Sequence, residues 1–420
     1  MRQRSGFGKS SVIAVAAILL ALGNSASALA QAQPQWVSSW AAAEIPIDLK
    51  DALPIGNDLT LRQLVRVTTG GGVIRLRISN AFGNVPLEIR GVHVAKAISL
   101  GSSAIEPSTD KLVTFNGKTA ATIPAGTDYL SDPVALKVPD FTTLAVSIHF
   151  AGLPPHQTGH PGSRATSYSG PGNQLSDAVL RDATTMDRWY YLTGVDVEPT
   201  APSPAIAVIG DSIVDGHGVV SNTNTRWTDY LAERLKGRAA VLNLGIGSNC
   251  LAQSCVGPSV PSRFGRDVLA RNGVRYLIIL EGVNDLGVLT RDAPASVEAH
   301  RALVERMIAA LAQVTERAHE RGIKVIGATI MPYGASGYYH PDAANNADRD
   351  AVNAWIRAPG HVDAVLDFDA LMRDPAHPNR LKNQFDSGDG LHPSPEGYRF
   401  MGTIVPLSLF TNSTASRRAR

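Results

Sequence analysis

Cysteine is nearly absent from this 420-residue chain: there are two, Cys250 and Cys255. Neither has further ligands spaced for metal, which excludes a zinc site built on thiolates. Charged residues are sparse at 18%, and hydrophobic residues stand at 44%. That balance excludes both a disordered chain and a bundle of membrane helices. No apolar run approaches the ~20 residues that a membrane-spanning helix requires. A surplus of positive charge is also missing. The formal net charge is +2, but Arg2, Arg4 and Lys9 lie in a leader-like start and Arg417, Arg418 and Arg420 in a Ser/Thr/Arg tail. The body between them is mildly acidic, so no nucleic-acid-binding face is expected.

What is present at the N-terminus has the order of a secretory signal. The three basic residues precede an apolar stretch from Val12 to Leu22, and Ala28-Leu29-Ala30 supplies a small-residue cleavage pattern before Gln31. Cleavage after Ala30 predicts a secreted or periplasmic protein with no stable membrane anchor. In that compartment two nearby cysteines predict a Cys250–Cys255 disulfide.

The length favours two domains. From Trp36 to about Val197 short runs alternate in polarity. Ile74, Leu76 and Ile78 point one way and Arg75, Arg77 and Ser79 the other, the period of a half-buried strand. Similar runs cover 61–67, 87–94 and 144–150, which predicts a β-sandwich or jelly-roll-like domain over 31–198. Within it, 151–174 is rich in Gly, Pro, His and Ser and has no periodicity; it reads as a long loop. A Pro-rich linker follows at 199–204. Beyond it, apolar runs at 205–209, 240–242, 276–280, 324–329 and 364–368 alternate with helical patterns. The clearest helix runs from about Ser296 to Arg321 and is ended by Gly322. Five strands separated by helices predict an α/β domain over 205–410 with a parallel, doubly wound, flavodoxin-like sheet, and a disordered tail over 411–420. Ligands of such sheets sit beyond the carboxyl ends of the strands.

Four segments follow those strands in order: Gly210-Asp211-Ser212, then Asn243-Leu244-Gly245-Ile246-Gly247-Ser248-Asn249, then Gly282-Val283-Asn284-Asp285, and finally Asp389-Gly390-Leu391-His392-Pro393-Ser394. Each alone is ordinary turn chemistry. Together they resemble the four blocks of the SGNH hydrolase superfamily, the GDSL-type esterases and lipases, over roughly 205–410. Trp36-Val37-Ser38-Ser39-Trp40 and the β-rich region also look like the N-terminal module of two-domain bacterial members.

The resemblance implies a serine esterase without a cofactor or metal, acting on short-chain or acetyl esters, those of carbohydrates included. Ser212 would be the nucleophile and His392 its base, with Asp389 fixing the imidazole. The oxyanion donors would be the Ser212 backbone N–H, a backbone N–H of the second block, and the Asn284 amide. Here the chain departs from the pattern. Alignment through Asn243-Leu244-Gly245 puts Ser248 where the family's oxyanion glycine stands, with Gly247 one place earlier, so either could supply the donor. A cystine starting at Cys250 would stiffen that loop.

Three other readings compete. The run from Gly245 to Cys250 imitates a dinucleotide fingerprint, but Cys250 stands where the third glycine belongs. An α/β-hydrolase would need a Gly-x-Ser-x-Gly elbow, whereas Ile213 and Val214 follow Ser212. The main alternative is a carbohydrate-binding or wall-associated protein whose SGNH domain is not catalytic.

Overall fold

The computed structural model describes residue 1 and residues 35–410 of the chain. The expected signal peptide and the 411–420 tail lie outside the described residues. No helix among the described residues is long and apolar enough to cross a membrane.

The N-terminal half is antiparallel β structure, as its alternating runs predict. One sheet carries strands Val37–Ala41, Leu192–Glu198, Gly71–Ser79 and Val134–Val138 in that order, with Asp128–Leu130 also pairing with Gly71–Ser79. A second has six strands around Leu59–Arg66 and Thr143–Phe150. Ile74, Leu76 and Ile78 of the first sheet share one core with Leu61, Val65, Val94, Leu144 and Val146 of the second. This is a sandwich built on inward-facing alternate residues.

Two features depart from the sequence reading. Ser79 is fully buried, and Arg77 donates to Ala270 O at 3.2 Å. The polar face of that strand is therefore partly covered by the α/β half, with Arg75 and Arg77 only partly exposed. The 151–174 segment is also not a plain loop. It contains strand Thr158–Pro161, between Ile45–Pro46 and Arg188–Tyr190, and strand Ser167–Pro171, which joins the second sheet. Both are short, carry Gly and Pro, and are buried on successive residues, so neither shows a period of two.

The C-terminal half is a five-stranded parallel sheet. Its order is Ala240–Gly245, Ala205–Gly210, Val274–Leu280, Lys324–Ala328, Ala364–Leu366, or 2-1-3-4-5 by position in the half. That is the doubly wound, flavodoxin-like arrangement expected from continuous apolar runs. The predicted long helix spans Val297–His319, and the Ser296 hydroxyl caps it by accepting from Ala299 N at 3.2 Å. The last strand is shorter than its apolar run. Asp367 caps a helix over Phe368–Met372, so Phe368 leaves the sheet.

Residues 36–410 form one compact unit, and strand Val37–Ala41 is where the halves meet. Val37 and Ala41 belong to the α/β core, whereas Trp40 belongs to the sandwich core. A single strand thus offers alternate residues to two cores.

Candidate active site

The strand Ala205–Gly210 delivers Ser212 to the open edge of the sheet. Gly210 is required there by close approach: a Cβ would stand 2.2 Å from Leu280 O and 2.4 Å from Val214 Cγ2. Asp211 then caps the short helix Ser212–Asp215 by accepting from Ile213 N at 2.8 Å. The Asp211 carboxyl is pushed up to about 7, chiefly by burial and further by Asp285 and Asp215, against the pull of the Ile213 N–H and Arg263.

Ser212, His392 and Asp389 come together from 180 residues apart. Ser212 Oγ lies 2.8 Å from His392 Nε2, and His392 Nδ1 lies 2.6 Å from Asp389 Oδ2. The other Asp389 oxygen accepts from Leu391 N at 2.9 Å and His392 N at 2.8 Å. Burial alone would raise the Asp389 carboxyl, but these backbone and ring N–H groups outweigh it and hold the group at about 2. The carboxylate therefore stays ionised at neutral pH, and because it only accepts, its contact fixes a proton on Nδ1.

The oxyanion candidates line the same cleft. Ser212, Gly247, Ser248 and Asn284 border an open cavity of about 560 Å³ together with His217, Tyr338, Tyr339, Asp389 and His392. Ser248 has φ 58°, the left-handed backbone that favours glycine. Asn284 Nδ2 donates to Asn249 O at 2.7 Å while its Oδ1 accepts from Tyr339 OH at 2.6 Å. Those two bonds fix which way the amide faces, and an amide nitrogen has a second hydrogen to offer.

The loop after the second block is held from several sides. Cys250 and Cys255 are joined as a disulfide with Cα atoms 5.6 Å apart. Asp285 accepts from Leu251 N and Ala252 N, both at 2.7 Å. Burial lifts the Asp285 carboxyl to about 6 despite those bonds. Asn249, wholly buried, donates to Val256 O and Pro258 O and accepts from Arg263 Nε at 3.0 Å.

Several of these residues were not singled out by sequence. Tyr339, which orients Asn284, lies 55 residues from it and gives no local signal. Arg263, which reaches Gly210 O at 3.0 Å and Leu244 O at 2.7 Å, is equally silent. Asp285 stood inside a quoted block but without a role. His217 stacks on His392 with ring centroids 3.9 Å apart. Burial first, then the neighbouring His392 and Arg164, hold its imidazole below the usual histidine range.

His217, Asp389 and His392 bring three donor atoms within 4.8 Å of one another, the spacing of a metal-binding set. Both ring nitrogens of His392 already face Ser212 and Asp389, so a metal there would have to displace the triad contacts. Chemically, such an arrangement can activate a hydroxyl and set N–H donors beside it.

Residues 208–400 match the model of the GDSL-like Lipase/Acylhydrolase family. Comparison with curated proteins finds no match. Solved structures that resemble the chain include a GDSL-like lipase from Bacteroides thetaiotaomicron, at 19% identity and TM-score 0.37, covering 49% of this chain and 87% of that one. An acetylxylan esterase from Geobacillus stearothermophilus has 19% identity and TM-score 0.36, covering 48% and 93%. A family two carbohydrate esterase from Cellvibrio japonicus has 11% identity and TM-score 0.35, covering 90% and 95%. Residues 208–400 thus form a GDSL-like lipase/acylhydrolase domain, a domain of carboxylic ester hydrolases.

Proposed function

We propose that the chain is an exported serine esterase for short acyl esters. Ser212 Oγ attacks the ester carbonyl as His392 Nε2 takes its proton. Asp389 stabilises the imidazolium. The alcohol leaves with the proton from His392, and water then repeats the sequence on the Ser212 acyl-enzyme. The observation that carries the reading is the pair of bonds at 2.8 Å and 2.6 Å linking Ser212, His392 and Asp389 at the floor of an open cleft. The Ser212 N–H, the N–H of Ser248 or Gly247 and the Asn284 amide meet the oxyanion, and the cystine steadies the loop that carries the second of these. Export is supported by the signal-like first thirty residues and by the disulfide.

The cleft walls favour small acyl groups. Gly247, Ala335, Gly337 and Gly388 are short, and Leu391 is the one sizeable aliphatic residue among those lining it. At the rim Tyr338 is 59% exposed, an aromatic face on which the C–H edge of a sugar alcohol can rest. Esters of carbohydrates therefore fall within the proposed range, and the non-catalytic alternative leaves the triad contacts without a purpose. A series of glycerol esters from acetyl to dodecanoyl tests the reading. Rates should be highest at two to four acyl carbons and absent in Ser212→Ala. A preference for long chains would end the short-acyl assignment, and near-normal turnover by Ser212→Ala would end the role of the serine.

A further inference from the structure

The sandwich half reaches into the nucleophile's helix through one buried histidine. His160 lies on strand Thr158–Pro161, and its ring has both nitrogens engaged. Nδ1 is 2.7 Å from Ala43 O, and Nε2 is 3.0 Å from Asp215 Oδ1. A carbonyl only accepts, so Nδ1 carries a hydrogen, and the ring is held by a backbone group at one end and a carboxylate at the other. The pair is almost sealed from water, with 4% and 6% of the side chains exposed, and Trp189 packs beside the imidazole at 5.6 Å.

Asp215 is the last residue of the single turn that Ser212 begins. That turn is too short to hold its own shape, because a helix of one turn has few internal hydrogen bonds. Its far end is fixed instead from outside. Arg226 Nε donates to Asp215 O at 2.9 Å, and the same guanidinium donates to Ser163 O on the sandwich side. The second Asp215 carboxylate oxygen lies 3.3 Å from where a Cβ on Gly162 would stand and 3.8 Å from the corresponding point on Gly247. One carboxylate is thus wedged between the sandwich strand and the loop of the second oxyanion donor.

We infer that His160 is a positioning residue for ester hydrolysis, acting through Asp215 on the angle of the Ser212 turn; the inference rests on Ser212 being the nucleophile. On this view the sandwich is part of the apparatus that aims the serine, since it holds the Asp215 carboxylate while Arg226 and Asn243 of the α/β half hold the backbone of the same turn. A misplacement of the reacting atoms of about 1 Å can cost on the order of 10²-fold in rate. Loss of the Asp215 contact should therefore appear in kcat more than in KM.

Two substitutions in the full-length chain separate positioning from mere support. Asn can mimic Nδ1 and keep the Ala43 contact, whereas Gln can mimic Nε2 and keep the Asp215 contact. His160→Asn should lower kcat about tenfold or more with KM near the parental value, and His160→Gln should recover most of that loss, though both lower the melting temperature. Equal losses in the two variants, parental kcat in His160→Asn, or a loss confined to KM would each overturn the inference. Should neither variant fold, Asp215→Asn keeps the volume and removes the charge. Its kcat should fall with KM held, and an unchanged kcat would overturn the inference. If Ser212→Ala is itself active, the role of Ser212 as nucleophile falls, whereas an inactive Ser212→Ala beside an unaffected His160→Asn removes only the role of His160.

Discussion

Two buried arginines show how differently the halves of the molecule use internal charge. In the sandwich, Arg62 donates to Ser147 Oγ and Ser103 O, both at 2.7 Å, and to Leu175 O at 3.2 Å. All are neutral acceptors, and burial lowers the guanidinium to about 10. In the α/β half, Arg263 donates to Gly210 O and Leu244 O, at the ends of the strands that carry the first two blocks, and to Asp267 Oδ2 at 3.2 Å. Around it stand Asp211, Glu281 and Asp285, all raised mainly by burial. Arg62 ties distant segments of one sandwich together. Arg263 sits behind a group of costly carboxyl groups that converges on one sheet edge. Such convergence of perturbed groups beside a cleft is a pointer to a functional site, whereas Arg62 stands alone among neutral acceptors.

The sharpest way to test that contrast is at Asp389. Asp389→Asn removes the carboxylate that fixes the His392 tautomer, and should cost on the order of 10³-fold in kcat with little change in melting temperature. A parental rate would make Asp389 dispensable and move the chemistry away from this edge.

Glu44 sharpens the comparison from the other side, because it is a buried carboxyl outside the cleft. It is 1% exposed, and its carboxyl is pushed up to about 8 by burial and by Asp128, against a hydrogen bond from Ser79 and the charges of Arg266 and Arg271. The folded chain then holds a proton that the unfolded chain, with an ordinary value of 4.5, releases. Stability should therefore fall as pH rises from about 4.5 to about 8, by up to about 1.4 kcal/mol per unit for this group, and level off above. Glu44→Gln should remove that share of the slope in urea unfolding without lowering kcat. An unchanged slope would mean that Glu44 is ionised in the folded state.

The parts legible in the sequence are those whose signal is local. The parallel sheet shows as continuous apolar runs; Ser212 and Asn284 stand just after strands, and Asp389 and His392 just before the final helix, in the expected order. Ser248 was a visible departure, and its φ of 58° puts it in a backbone region that favours glycine. Tyr339, Arg263 and His160 were illegible because their partners lie 55, 53 and 55 residues away in sequence. Strands Thr158–Pro161 and Ser167–Pro171 were missed because burial on both faces erases alternation. Phe368 was read as strand because an apolar residue beside a strand gives no hint that Asp367 starts a helix.

The most direct test of the account is covalent. A fluorophosphonate ester reacts with a serine only when a base activates it and donors receive the developing oxyanion, so the labelled residue reports the whole constellation at once. The account predicts one adduct per chain, located on the peptide that contains Ser212, with ester hydrolysis lost in proportion to labelling and no adduct in Ser212→Ala. An adduct on a different residue that abolishes hydrolysis, or full hydrolysis by chains labelled at Ser212, would contradict it.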